Sequence, residues 1–268
     1  MTTGSRGDIW FKLLATEDVV AQNKMASVRV AKGSIGDENC WFLAVRPDPD
    51  NLYPRARNGE VGLLEGWGLA EAIEDIMSVA VDSTTKEPIV AIVDVPSQAY
   101  GRREEALGIH QALAGAVSAY ARARLAGHPV IALLVGKAMS GGFLAHGYQA
   151  NRIVALADPG VQVHAMGKSA AARITLRTEE ELDHLAKKIP PMAYDMESYE
   201  SLGMLDDLIR IGSVDSPGQD DINIVKQTVG KAIADIGKGD TGIARRLNGA
   251  NRKASQRVRE LMRAQWRD

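Results

Sequence analysis

The stretch Gly136, Lys137, Ala138, Met139, Ser140, Gly141, Gly142, Phe143 carries the plainest chemistry in the sequence. It follows an apolar run at residues 130–135 and leads into a stretch, 141–149, that reads as helical. A glycine pair where a helix begins lets a ligand reach backbone N–H groups that have no intrahelical partner and sit in a positive dipole field. Such a turn suits an oxyanion or another anion. The plainer alternative is that the glycines serve helix–sheet packing alone. A rival chemistry lies in the same residues: Ala138, Met139, Ser140, Gly141, Gly142 is a variant of the nucleophile elbow of α/β-hydrolases. Ser140 would be the nucleophile, with Asp158 and His164 or His184 downstream. The apolar run ends at Val135, and the intervening residues hold Ser140 away from the strand-to-helix turn where an elbow needs it.

The second candidate is the loop Asp94, Val95, Pro96, Ser97, Gln98, Ala99, Tyr100, Gly101, Arg102, Arg103, Glu104, Glu105. Loops at strand C-termini commonly carry function in α/β folds. Backbone donors of this loop can face those of Gly141 and Gly142 across neighbouring strands, and two such donors make an oxyanion hole. An ordinary strand-to-helix turn explains the same residues. Other motifs fail. Gly167, Lys168, Ser169 lacks the first P-loop glycine, because Gln162 stands there. Gly66 and Gly68 have Glu71 in place of the third glycine of a dinucleotide fingerprint. His110, His128, His146, His164 and His184 have no zinc spacing, so no metal site is expected.

The elements that position the two loops follow from apolar spacing. Residues 28–31 and 40–45 read as a hairpin joined by a turn at 32–39. Residues 63–80 form an amphipathic helix. The continuous apolar runs 89–93 and 130–135 are strands buried on both faces. A helix at 104–125 lies between them, ending at Gly127, His128, Pro129, and 152–157 is a third strand. Strand, helix, strand, helix, strand argues a parallel or mixed sheet.

The chain has 268 residues, 45% hydrophobic and 25% charged, enough for one large α/β domain. A net charge of −2 gives no global basic field for nucleic acid or an acidic membrane. No apolar run reaches the roughly 18 residues of a spanning helix. The N-terminus lacks the apolar core of a signal peptide, and Cys40 is the lone cysteine, so a reducing cytoplasm is expected. Charge is segregated late in the chain. Residues 177–221 hold 12 acidic and 4 basic side chains, and residues 238–268 hold 9 basic and 3 acidic. Solvated helical faces explain this. Alternatively, the basic tail docks on an acidic surface of this protein or of a partner.

Asp94-Val95-Pro96, Gly101, Glu105, Gly108-Ile109 and Gly141-Gly142 together resemble one half of the biotin-dependent carboxyltransferases, members of the crotonase-like superfamily. Within it, the 94–105 and 136–142 wording, with Gly203-Met204-Leu205-Asp206, is similar to the gamma subunits of biotin-independent malonate decarboxylases, over roughly residues 19–236. The resemblance implies an α/β crotonase-like ββα spiral at 19–236, after an N-terminal extension at 1–18 and before a basic helical tail at 237–268. It also implies a homologous beta subunit and an acyl-carrier-protein subunit as partners. The malonyl thioester on the carrier's phosphoribosyl-dephospho-CoA arm would lose CO₂ to give the acetyl thioester, with no cofactor bound by this chain. Gly141, Gly142, Ser97 and Gln98 are expected as oxyanion donors, with Tyr100, Gly101, Arg102, Lys137 and Ser140 as substrate-binding neighbours. Ser97-Gln98 replaces the Gly-Phe pair of carboxyltransferases, whose corresponding half holds biotin. A non-catalytic structural subunit is the competing reading.

Overall fold

The computed structural model describes residues 4–18, 25–80, 84–236 and 240–266. The elements in chain order are α1 (Arg6–Leu14), β1 (Ala15–Asp18), β2 (Val28–Ile35), β3 (Glu38–Val45), α2 (Leu63–Val79), β4 (Ile89–Val95), α3 (Arg102–Ala106) and α4 (Ile109–Leu125). Then follow β5 (Val130–Met139), α5 (Ser140–Ala145), β6 (Arg152–Leu156), β7 (Gln162–His164), α6 (Lys168–Thr175), α7 (Glu179–Ala186), α8 (Met196–Ser201), β8 (Asp207–Ile209), α9 (Gln219–Ala234) and α10 (Lys253–Gln265).

The strands pair in the order β1, β2, β3, β4, β5, β6, β8, with β7 paired to β5. The β1–β2–β3 pairs are antiparallel, and β3 through β8 run parallel. This chain-order sheet is not that of an α/β-hydrolase. Residues 89–93 and 130–135 are fully buried, as their unbroken apolar runs demand. Their two faces are covered by α2 packed on α4 and by α1 packed with α9. Pro88 and Pro129 open β4 and β5 without an N–H, but their carbonyls accept from Trp41 and Ile89 at 2.8 Å.

Four sequence expectations change. The hairpin strands run to a tight turn at Gly36 and Asp37, with Gly36 at φ +60, in place of the longer turn at 32–39. The helix expected over 104–125 is two, α3 and α4, broken at Gly108, whose φ of +82 a continuous helix cannot contain. The segment 1–18, expected as an extension, contains α1, and its Trp10, Phe11 and Leu14 are in the core.

The fourth change bears on the site. β5 does not stop at Val135 but runs to Met139. Its pairing with β4 shifts between Val93↔Leu134 and Val95↔Ala138, so β5 bulges at Gly136 and Lys137. The carboxylate of Asp94 fills that bulge. Its Oδ1 accepts from the Lys137 N–H at 3.0 Å, and its Oδ2 accepts from the Gly7 N–H at 3.1 Å. Beyond the bulge Lys137, Ala138 and Met139 pair with Gln162, Val163 and His164 of β7, while Ala138 still pairs with Val95 of β4, so the strand stays in the sheet up to the residue before Ser140.

Candidate active site

The loop after β4 is held as a short strand against Val61. The Val61 N–H donates to the Ser97 carbonyl at 3.0 Å, and the Ala99 N–H donates to the Val61 carbonyl at 2.9 Å. In a parallel bridge the residue between those two groups faces its own N–H the other way, so the Gln98 N–H is directed away from Val61. The α5 turn lies on that side. A β-carbon added to Gly142 would stand 2.5 Å from the Ser97 carbonyl oxygen and 3.2 Å from the Gln98 nitrogen. The two loops named by the sequence therefore touch, backbone to backbone, and only glycine fits at position 142.

The Gly141 N–H carries a feature the sequence does not announce. It donates to Gln98 Oε1 at 2.9 Å. A side-chain carbonyl oxygen thus occupies one of the expected oxyanion donors. The Ser97 hydroxyl donates to the Gln98 carbonyl at 2.8 Å, fixing the turn that carries this side chain.

Below the turn, His146 ends α5. Its backbone N–H donates to the Gly142 carbonyl at 3.0 Å. The ring is fully buried, with Nε2 3.0 Å from the Ile92 carbonyl of β4 and Nδ1 3.0 Å from the Tyr120 hydroxyl of α4. The carbonyl requires an Nε2 proton, so Nδ1 accepts from Tyr120. Burial lowers the imidazole pKa to about 4 and raises that of the Tyr120 phenol. A neutral histidine thus braces α5 to β4 and α4.

A mainly apolar cleft of about 450 Å³ opens beside Ser140 and Gly141, with Phe143, Leu144 and Met204 among its walls. His164 and Tyr199 add polar groups, and Arg252 stands at its edge. His164 stacks on Tyr194 with centroids 4.1 Å apart. The Tyr199 hydroxyl is buried with no hydrogen-bond partner among the described residues, and burial raises its pKa. Tyr199 and Arg252 lie far from both loops in sequence and follow no spacing rule, and Met204 enters the sequence reading only through the family resemblance, with no site role.

The remaining expected residues separate. Tyr100 is 58% exposed, and Arg102 is exposed at the start of α3. Gly101 caps α3 with extended backbone (φ −174), and a β-carbon there would meet Glu104 Oε2 at 2.5 Å and Arg55 Nε at 2.6 Å. Lys137 donates its ammonium to Gln162 Oε1 at 2.6 Å and is tied to β7. Ser140 sits directly at the strand-to-helix junction with φ +56, so the separation read from the sequence is incorrect. Its hydroxyl nevertheless donates to the Ala165 carbonyl at 2.9 Å, not to an imidazole. His164 Nδ1 is engaged by the Met166 backbone, and Asp158 is paired with Arg6 at 2.7 Å. No serine triad is assembled from these residues.

The family model of the malonate decarboxylase gamma subunit matches residues 56–266. This chain belongs to that family. It is 60% identical to a chain in the crystal structure of a Pseudomonas malonate decarboxylase hetero-tetramer in complex with coenzyme A, with a TM-score of 0.92 over 98% of this chain and 100% of that one. It is 57% identical, with a TM-score of 0.89, to a chain of the Pseudomonas MdcD–MdcE hetero-dimer, covering 98% of this chain and 99% of that one. Among curated proteins it is 34% identical over 184 residues to the malonyl-S-ACP:biotin-protein carboxyltransferase MADD of Malonomonas rubra. That match takes in 67% of this chain, which spans 63% of the relative's length. A transcarboxylase 12S structure, 20% identical with a TM-score of 0.63 over 86% of this chain and 40% of that one, shares the fold. The gamma-subunit fold is therefore the crotonase-like carboxyltransferase fold, α/β with a mixed sheet. Among the described residues no helix is long and apolar enough to cross a membrane.

Proposed function

We propose that this chain is the gamma half of a two-subunit malonyl-thioester decarboxylase acting in the cytoplasm. The observation that carries the reading is the contact between the Ser97–Gln98 peptide and the Gly141–Gly142 turn beside an apolar cleft. Loss of CO₂ from a malonyl thioester moves the C–C bond electrons onto the thioester carbonyl. The enolate then takes a proton at carbon to give the acetyl thioester. Preorganised N–H donors lower the barrier to that oxyanion, one donor contributing about 3–4 kcal/mol by oxyanion-hole precedent. The candidate donors are the N–H groups of Gly141 or Gly142 on one side and of Ser97 or Gln98 on the other. A substrate oxygen reaching Gly141 takes the place of Gln98 Oε1.

The thioester arrives on a carrier protein's phosphoribosyl-dephospho-CoA arm, whose chain enters the apolar cleft, and a homologous beta subunit supplies a second pair of donors. Family membership and the hetero-oligomeric state of the solved relatives support the partner subunit, and the malonyl-S-ACP in the curated relative's name supports a carrier-borne thioester. Reconstitution tests it. Release of labelled CO₂ from a malonyl-carrier thioester is expected with both subunits and absent with this chain alone. Full release from this chain alone overturns the proposal.

A further inference from the structure

Of the basic tail singled out in the sequence, Arg252 reaches the cleft, and the helix that follows it lies outside. Helix α10 has 13 residues and buries none of them. Its side chains Val258, Leu261 and Met262 are 55%, 41% and 59% exposed, and Trp266 just beyond is 74% exposed. At 100° per residue these form one stripe. On another side, Gln256 Nε2 and Arg259 Nη2 donate to the Leu247 carbonyl at 3.3 and 3.2 Å, which fixes the helix with its stripe uncovered. A helix this short is marginal in water unless its apolar face is buried. Lys253, Arg257, Arg259 and Arg263 against Glu260 make it basic. Among the described residues its ion pair is internal, Arg257 with Glu260 at 3.7 Å, so the acidic stretch 177–221 of this chain does not neutralise it.

The root of α10 is built into the cleft wall. Arg252, just before it, lines the cleft and donates to the Arg246 carbonyl at 3.2 Å. Arg246 in turn donates to the carbonyl of Tyr148, another cleft residue, at 2.6 Å, and Asn251 Nδ2 donates to Ser201 Oγ at 2.9 Å. A basic, apolar-striped helix thus projects from the rim of the cleft that the proposed function assigns to a protein-borne thioester.

We propose that α10 is the docking helix for the acyl-carrier protein, and that the carrier presents to it an apolar groove edged by carboxylates. Two observations favour this occupant. The helix is continuous with the cleft rim that the arm must cross, and its uncompensated positive charge asks for an acidic partner. The inference rests on the carrier-thioester reading above.

The test uses the assembled complex, with Arg257→Glu/Arg263→Glu and, separately, Leu261→Asp. Carrier affinity is read by calorimetry, and turnover is read with malonyl-carrier and with malonyl-pantetheine. The expected result is a carrier Kd and KM raised at least about tenfold, with kcat and the pantetheine rate unchanged. An unchanged carrier affinity overturns the proposal. So does dissociation of the variant subunits on gel filtration, which assigns the stripe to the subunit interface. So does capture of the native complex by phosphatidylglycerol vesicles in place of carrier, which assigns it to a membrane surface. If the native complex turns over neither substrate, the proposed function fails, while the calorimetric affinity still decides the docking.

Discussion

At the scale of single residues the site turns on Gln98, whose Oε1 accepts from the Gly141 nitrogen at 2.9 Å. On the proposed function, this neutral amide oxygen holds the donor in place and yields it to the oxyanion. A carboxylate there competes with charge of the same sign. We expect Gln98→Glu to lower kcat by about 10²-fold, the loss seen when one oxyanion donor is removed. Gln98→Ala leaves the donor open and is expected to stay within about tenfold of the native kcat. Steady-state rates of the reconstituted complex check both, and equal losses refute a role for the acceptor's charge. Ser140 adds a second residue-scale expectation. Its φ of +56 costs a non-glycine residue on the order of 1 kcal/mol, and glycine escapes that cost. Ser140→Ala and Ser140→Gly both lose the hydroxyl bond to Ala165, so the glycine variant is expected to be more stable than the alanine variant by about 1 kcal/mol in urea unfolding.

At the scale of elements, two packing choices hold the α5 turn in place. Helices α2 and α4 cross closely because Gly66 lies against the Ala112 carbonyl, where a β-carbon would come within 2.6 Å. Gly66→Ala forces the helices apart and is expected to destabilise the fold by roughly 1–3 kcal/mol, read as a lowered Tm. The second choice is the neutral His146 brace. In the unfolded chain an imidazole titrates near 6.5, whereas buried in the fold its pKa is lowered to about 4. Stability is complete above the unfolded value. Below about pH 6.5 the unfolded chain gains a proton that the fold refuses, so stability falls until the folded value near 4. The gap corresponds to about 3 kcal/mol at 1.36 kcal/mol per pKa unit. Urea unfolding of the native chain and of His146→Gln between pH 7 and 4 checks this. The variant is expected to be less stable at pH 7 and to show a flatter pH slope, and parallel slopes contradict the assignment.

At the scale of the whole molecule, distant segments are clamped by charges that a linear reading cannot pair. Buried Arg152 of β6 donates to Asp235 at 2.8 Å and Asp240 at 2.7 Å, and Arg6 of α1 reaches Asp158 and Asp215, both at 2.7 Å. The central strands and α2 were legible because unbroken apolar runs and helical spacing are local signals. The extension of β5 to Met139 was not, because Gly136 and Lys137 interrupt the apolar run and the bulge is set by Asp94 on another strand. Helix α1 was missed because it has only 9 residues, too few turns to show helical spacing. The two loops that touch were singled out from glycine placement and family resemblance, while the seat of Gln98 and the cleft walls depend on long-range packing. On the proposed function, the chemistry belongs to backbone donors in the touching loops and not to a serine nucleophile. The most direct measurement is CO₂ release from a malonyl-carrier thioester by complexes reconstituted with Ser140→Ala and with Gly142→Ala, both checked for intact assembly. Ser140→Ala is expected to keep most of the activity. Gly142→Ala, whose β-carbon would stand 2.5 Å from the Ser97 oxygen, is expected to lose at least about 10²-fold. An inactive Ser140→Ala beside a fully active Gly142→Ala would contradict the claim.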